Sequence, residues 1–471
     1  MSDALPLLWG MALPAALGVL VLQRSGLRFA GDRLGFPAWA WLTGCLALAV
    51  LLLGCLLLGV PPAQWPWAPA LAIVALAIWR RRVPEPSAAP PAPPVGWPLW
   101  MVVALGAAGI ALLAFAVASH PCVTADEANM WALKAKSLHV DWYRGEFAAA
   151  QRFAYHPDYP LLNPLLQAWV YGLNGEIVHS QNRVPIQLCA LALWLALASA
   201  LRRRLPSALA ALLLVPMLLA TEFQDLCRWA YADGMLALGL VVALDGWLRL
   251  RAAPHRGHAA LLGLGLAFAM WSKNEGALYV GLALAAGAAA PLLRQEVPWR
   301  AAPGEALGRA VRARWLWPPL LVVLFQSAWN AVFGLRNDLF LDHPASGTMT
   351  DRLVGQFAER APVVLDWALG AVLGPASAHA VLLLPWLALV LVPRLALSAA
   401  LWAPTLALVG SFVALHVVYI GSYLGLQHHL ETSHARVLFQ AVPAGTVWFA
   451  AVFAGLRLDG RPGVSSRPDA A

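Results

Sequence analysis

Charge is scarce in this chain: Asp, Glu, Lys and Arg make up 12% of its 471 residues, against 61% hydrophobic residues. A water-soluble globule of this length cannot cover itself with polar surface at that ratio, so the composition excludes a soluble fold and requires lipid as solvent. Lysine is nearly absent. Lys134, Lys136 and Lys273 are the three lysines among 32 basic residues. Cysteine is sparse too: five residues show no metal-ligand spacing, and Cys45, Cys55 and Cys189 fall inside apolar runs. That leaves Cys122 and Cys227 as the two that could meet in an outward-facing disulfide. Strict period-two alternation is missing, which excludes a transmembrane β-barrel. No HExxH pattern, DxD pattern or internal repeat occurs.

What is present is a series of Leu/Ala-rich runs of about 18 to 25 residues, each long enough to cross a hydrocarbon core of roughly 30 Å. The expected class is all-α, a polytopic transmembrane helical bundle of about thirteen crossings. The expected spans are 5–22, 38–60, 66–80, 98–118, 183–201, 205–221, 230–249, 258–272, 276–293, 314–334, 367–392, 399–423 and 437–457. Short arginine clusters between runs, among them Arg80 to Arg82 and Arg202 to Arg204, orient the chain if all are cytoplasmic, and they make a nucleic-acid partner unnecessary to explain the net charge of +8. Most acids and histidines then face outward, so any active site opens to the outside, the periplasm of a bacterial inner membrane.

The proline-rich stretch 83–97 cannot be helical and divides the chain. Residues 1–82 form a three-helix accessory module, 98–457 the main membrane domain and 458–471 a cytoplasmic tail. The short apolar piece Leu161 to Leu173, bounded by Pro160, is expected to lie along the outer membrane surface or to re-enter it. Trp131, Trp142, Tyr143 and Tyr155 suit the headgroup layer.

Four polar groups interrupt the apolar sequence. Thr124-Ala-Asp126-Glu127 reads as a capping box, with Thr124 capping and Glu127 reaching back. The same two carboxylates, just after a crossing, suit a general base presented to a hydroxyl acceptor. In the second group, Arg228-Trp-Ala-Tyr231-Ala-Asp233, the acid Asp233 lies just inside an apolar run, where it needs a partner; Arg228 is the nearest cation in sequence. The third is Lys273-Asn-Glu275, either a closed turn or an ammonium held at the lipid boundary for a phosphate. The fourth, His428-His429-Leu-Glu431-Thr-Ser-His434-Ala-Arg436, lacks the spacing of a helical zinc motif, and Arg436 at a helix start suits a phosphate or headgroup.

Taken in order with Tyr155-His156-Pro-Asp-Tyr159, these motifs resemble the GT-C superfamily of membrane glycosyltransferases. Within it they are similar to bacterial relatives of the protein O-mannosyltransferases and of the aminoarabinose and galacturonic acid transferases of lipid A. The resemblance covers about residues 98 to 457. It implies a GT-C-like core with outer-face juxtamembrane helices, a sugar donor on polyprenyl phosphate, and a lipid, glycan or protein acceptor at the membrane surface. It further implies Asp126 as general base with Glu127 beside it. Lys273, Arg436 and Arg228 would meet the donor phosphate, and Trp131, Tyr155, His156, Tyr159, Asp233 and Glu275 would line the substrate site. No cofactor is required by the residues; some relatives use a divalent cation. The rival expectation is a transporter or lipid flippase, for which His379 and His416 within apolar runs would serve.

Overall fold

In lipid, a backbone can satisfy its N–H and C=O groups only internally, and Leu/Ala-rich runs without strand alternation do so as helices. The computed structural model describes residues 4–28, 31–79, 93–122, 124–293, 314–337, 347–374, 377–398 and 400–459, and its elements are helical throughout. The principal helices are α1 (Ala4–Arg24), α2 (Gly35–Leu57), α3 (Trp67–Ile78), α4 (Trp97–Ala116), α5 (Leu162–Asn174), α6 (Val184–Arg202) and α7 (Ser207–Leu219). They continue with α8 (Asp233–Ala252), α9 (Arg256–Ser272), α10 (Asn274–Leu293), α11 (Trp317–Phe333), α12 (Met349–Leu373), α13 (Trp402–Gly421) and α14 (Val442–Asp459).

Among the described residues, seven helices are long and apolar enough to cross a membrane, or up to nine if two bent pairs each count as one span. The seven match the expected runs beginning at 5, 38, 98, 183, 314, 399 and 437. Among the described residues the other six expected runs do not each give such a helix, three of them for evident local reasons. The run at 66 yields only the 12-residue α3. The run at 205 contains Pro216 and bends by 71° after Leu219. The run at 230 becomes α8, which carries Asp233, Asp245, Arg249 and Arg251.

Three further expectations meet the structure. Residues 83–92 of the proline-rich stretch and 460–471 of the tail lie outside the described residues, 93–96 are non-helical and Trp97 starts α4. The N-terminal helices share one continuous core with the rest: the indole of Trp169 donates to Gly10 at 3.1 Å, and that of Trp41 to the Cys189 thiol at 3.3 Å. Residues Leu162 to Gly172 of α5 are all buried, so neighbouring helices enclose this short helix. The sequence contains its own reason: Asn163 and Gln167, one turn apart, are hydrogen-bonded at 2.7 Å, and Gln167 is bonded in turn by Asn182, a chain that needs burial to matter.

The central pair α8 and α9 packs closely where glycines face each other. A Cβ on Gly239 would lie 2.6 Å from the Ala269 nitrogen, and one on Gly265 2.5 Å from the Ala243 nitrogen. Neither helix could hold any larger residue there at this spacing. At their C-terminal ends, α6 and α8 meet a buried ion cluster. Asp32 accepts from Arg202 at 2.6 Å, Arg203 at 3.0 Å, Arg249 at 2.9 Å and Ser199 at 2.6 Å, while Asp245 binds Arg204 at 2.9 Å and Arg249 at 2.6 Å. Their opposite ends, roughly 30 Å away by helical rise, carry a second group of buried charges.

Candidate functional site

The segment after α4 begins its helix at Thr124, whose hydroxyl accepts from the Glu127 N–H at 3.3 Å. The capping half of the expected box is present. The Glu127 carboxylate, however, is fully buried against Arg183, which grips both oxygens, one of them at 2.9 Å. It also accepts from the Ala230 N–H at 3.2 Å. Arg183 spends further donors on the carbonyls of Val117 and His120, at 3.1 and 2.6 Å. Two charges with their hydrogen bonds filled in this way tie the juxtamembrane segment to the start of α6 and to the loop before α8. Glu127 therefore supports its neighbour Asp126 and is not itself open to a substrate.

Asp126 is different. Its side chain is 31% exposed and is held by the guanidinium of Arg436, which comes from just before α14. Both partners abut a turn of π-helix, Glu127–Ala132 after the acid and Leu430–His434 before the arginine. Such turns shift side chains out of α-helical register and are frequent at functional positions. Arg436 also stacks 4.3 Å over the Tyr231 ring and reaches to 3.7 Å from Asp233 Oδ2.

Asp233 opens α8, where the helix dipole favours an acid. Its Oδ1 accepts from Lys273 at 3.0 Å and from Gln440 at 2.6 Å. Lys273 is placed by the break between α9 and α10, where it is extended (φ −160°, ψ 154°) and turns its ammonium inward. It also meets Glu275 at 2.9 Å. One continuous chain of charge results: Asp126, Arg436, Asp233, Lys273, Glu275. Several buried atoms around it have no hydrogen-bond partner, namely Asp233 Oδ2, Glu275 Oε2, Gln440 Oε1 and Tyr279 Oη.

The loop containing Tyr155 to Tyr159 closes over the chain. Tyr159 is buried with its ring 6.0 Å from the Lys273 ammonium and 5.8 Å from that of Lys134, and it packs on Trp131. His156 stacks on Tyr159 at 4.7 Å and adopts a positive φ of 50°, uncommon outside glycine. Asp158 accepts from Asn274 at 2.6 Å, fixing the loop to the start of α10. Of the aromatic residues expected among lipid headgroups, Trp131 is buried here, and Trp142 stacks on Trp329 at 5.4 Å while donating to Leu56. Tyr155 is exposed.

A cleft of about 330 Å³ opens onto Asp126 and Arg436 and is bordered by Thr124, Glu222, Tyr231 and Thr432 among others. Arg228, expected at a donor phosphate, pairs with Asp225 at 3.4 Å in a partly exposed i,i+3 pair. Of the histidines, His434 meets His416 at 3.2 Å and His379 contacts the Ala435 carbonyl at 2.9 Å, while Glu431 accepts from Gln427. Among the described residues no three His, Cys, Asp or Glu side chains could hold a metal ion together. Cys122 and Cys227 are both free thiols.

Sequence reasoning joined Asp126, Asp233, Lys273, Glu275 and Arg436 to a site and missed Arg183 and Gln440. Gln440, a lone amide within an apolar run, was a readable signal; Arg183 was hidden by its similarity to the orienting arginines. Compared with family models, curated proteins and solved structures, the chain matches none.

Proposed function

We propose that the protein is a membrane glycosyltransferase that moves a sugar from a polyprenyl-phosphate donor to the hydroxyl of a lipid, glycan or protein acceptor at the extracytoplasmic face. The observation that carries this reading is the pairing of Asp126 with Arg436 at the mouth of the cleft, 310 positions apart in sequence, with Asp233 and Lys273 directly behind. A carboxylate open to solvent beside a guanidinium supplies both halves of a displacement at an anomeric carbon. Asp126 takes the acceptor's proton as its oxygen bonds to that carbon. The bond from carbon to the donor's phosphate oxygen breaks, and Arg436 stabilises the departing phosphate, which needs charge compensation more than a proton. Glu127, locked on Arg183, positions Asp126, and the buried Tyr159 ring packs beside the Lys273 ammonium.

Buried ion pairs sit at both ends of α6 and α8, whereas a carrier places charge near the membrane midplane; that placement supports the transferase over a transporter or flippase. The test is incubation of the purified protein with a labelled polyprenyl-phosphate sugar. Release or transfer by the parent and none by Asp126→Asn is expected; equal turnover by both would remove Asp126 from the chemistry.

A further inference from the structure

Arg436 lies between two carboxylates and is fully engaged with only one. Its Nη2 holds Asp126, while its Nη1 stops 3.7 Å short of Asp233 Oδ2. That oxygen is buried, on a residue 1% exposed, and has no hydrogen bond, although its sister Oδ1 accepts two. A charge-assisted bond closes at about 2.8 Å, so the guanidinium is on the order of 1 Å from a second seat. The Tyr231 ring beneath it, 4.3 Å away, gives a flat surface along which it can slide without losing that contact. The π-helical turns beside both Asp126 and Arg436 are the backbone irregularities on which such a shift can act.

We propose that Arg436 is a two-seat cation that gates Asp126. In the arrangement described here it occupies the first seat, and the Asp126 carboxylate is held by the guanidinium through Oδ2. An anionic phosphate arriving at Nη2 replaces Asp126 there, Nη1 closes on Asp233 Oδ2, and Asp126 is released to the cleft as a free carboxylate. No bond is made or broken covalently; one anion exchanges for another on the same guanidinium. The consequence is an order of events: the phosphate-bearing donor must be seated before the base is competent, which protects the acceptor site from idle proton transfer. Asp233 is thus a positioning residue, acting through Arg436. Only the identity of the phosphate rests on the transferase reading above; the two seats do not.

The test uses the full-length purified protein, amidation of carboxylates by a water-soluble carbodiimide with an added amine, and mass spectrometry of the peptide containing Asp126. Polyprenyl phosphate and uncharged polyprenol are the two probes, and binding of each is followed separately by retention of the labelled lipid. Polyprenyl phosphate is expected to bind and to raise Asp126 amidation several-fold, while polyprenol leaves it unchanged. In Arg436→Lys, whose single-point ammonium cannot bridge two seats, the phosphate is expected to bind without that rise. Asp233→Asn should lose the rise as well, and thermal unfolding checks that both variants are folded. Bound polyprenyl phosphate with unaltered or reduced Asp126 amidation overturns the gate and leaves the transferase reading standing. A rise that polyprenol matches also overturns the gate. Failure of polyprenyl phosphate to bind the parent overturns both.

Discussion

The two ends of α6 and α8 are both built from buried acids and bases, and they are finished to different degrees. At the arginine end, both oxygens of Asp32 and both of Asp245 are bonded, by four guanidiniums, a hydroxyl and the Gly35 N–H. At the other end, Asp233 and Glu275 each leave a buried oxygen unbonded. The arginine end has one comparable defect, Arg202 Nε. The fully bonded cluster holds the helix ends together, whereas the other end borders the cleft through Asp126 and Arg436.

That contrast is broken most severely by removing its anchor. Asp32→Ala leaves Arg202, Arg203 and Arg249 without their shared counter-charge, and a loss of about 3 to 5 kcal/mol is expected, read as a fall in unfolding temperature in detergent. The same acid makes the arginine end sensitive to pH. Burial raises the Asp32 carboxyl, but Arg249 and Arg203 outweigh it and hold the group well below the usual carboxylate range. Because the folded value lies below the unfolded one, the stabilisation is complete above about pH 4 and erodes as the pH falls further. Unfolding temperatures of the parent and Asp32→Ala should therefore converge on acidification; a gap that stays constant would contradict the ion-pair account.

Next in size is Glu127→Gln, which keeps the shape but strips the charge facing buried Arg183. A destabilisation of roughly 3 kcal/mol is expected, with transfer lowered because Asp126 loses its support. Asp126→Asn sharpens the comparison from the other side. Its ion pair is partly exposed, so stability should change by less than about 1 kcal/mol, while transfer falls by on the order of a hundredfold or more. A large drop in stability with transfer retained would reverse the assignment of the two ends. The smallest effect is expected from Arg228→Ala, whose pair with Asp225 is solvent-exposed on both sides; about 0.5 kcal/mol or less is predicted in the same unfolding measurement, and transfer should be unaltered.

Much of this was legible residue by residue. Asp233 stood out because an acid inside an apolar run demands a partner, and Lys273 because lysine is so rare here. The partner proposed for Asp233 from proximity in sequence, Arg228, was not the one used: Lys273 and Gln440 bind it and Arg436 stands by, from 40 and more positions away. Proximity in sequence fails as a guide because a helix start can be approached from any neighbouring helix. For Leu161 to Leu173, length alone argued against a crossing and left surface placement or re-entry; that other helices enclose Leu162 to Gly172 was decided by packing.

The amino-acid sequence by itself determined the solvent, the helical class and the rarity of charge, because the length and composition of an apolar run act locally through the cost of an unsatisfied backbone. It also marked which rare acids and bases had to be explained. Only the tertiary structure decided that Glu127 would be sealed against Arg183 while its neighbour Asp126 stayed open beside Arg436, since both carboxylates are equivalent until helix packing brings one cation to each.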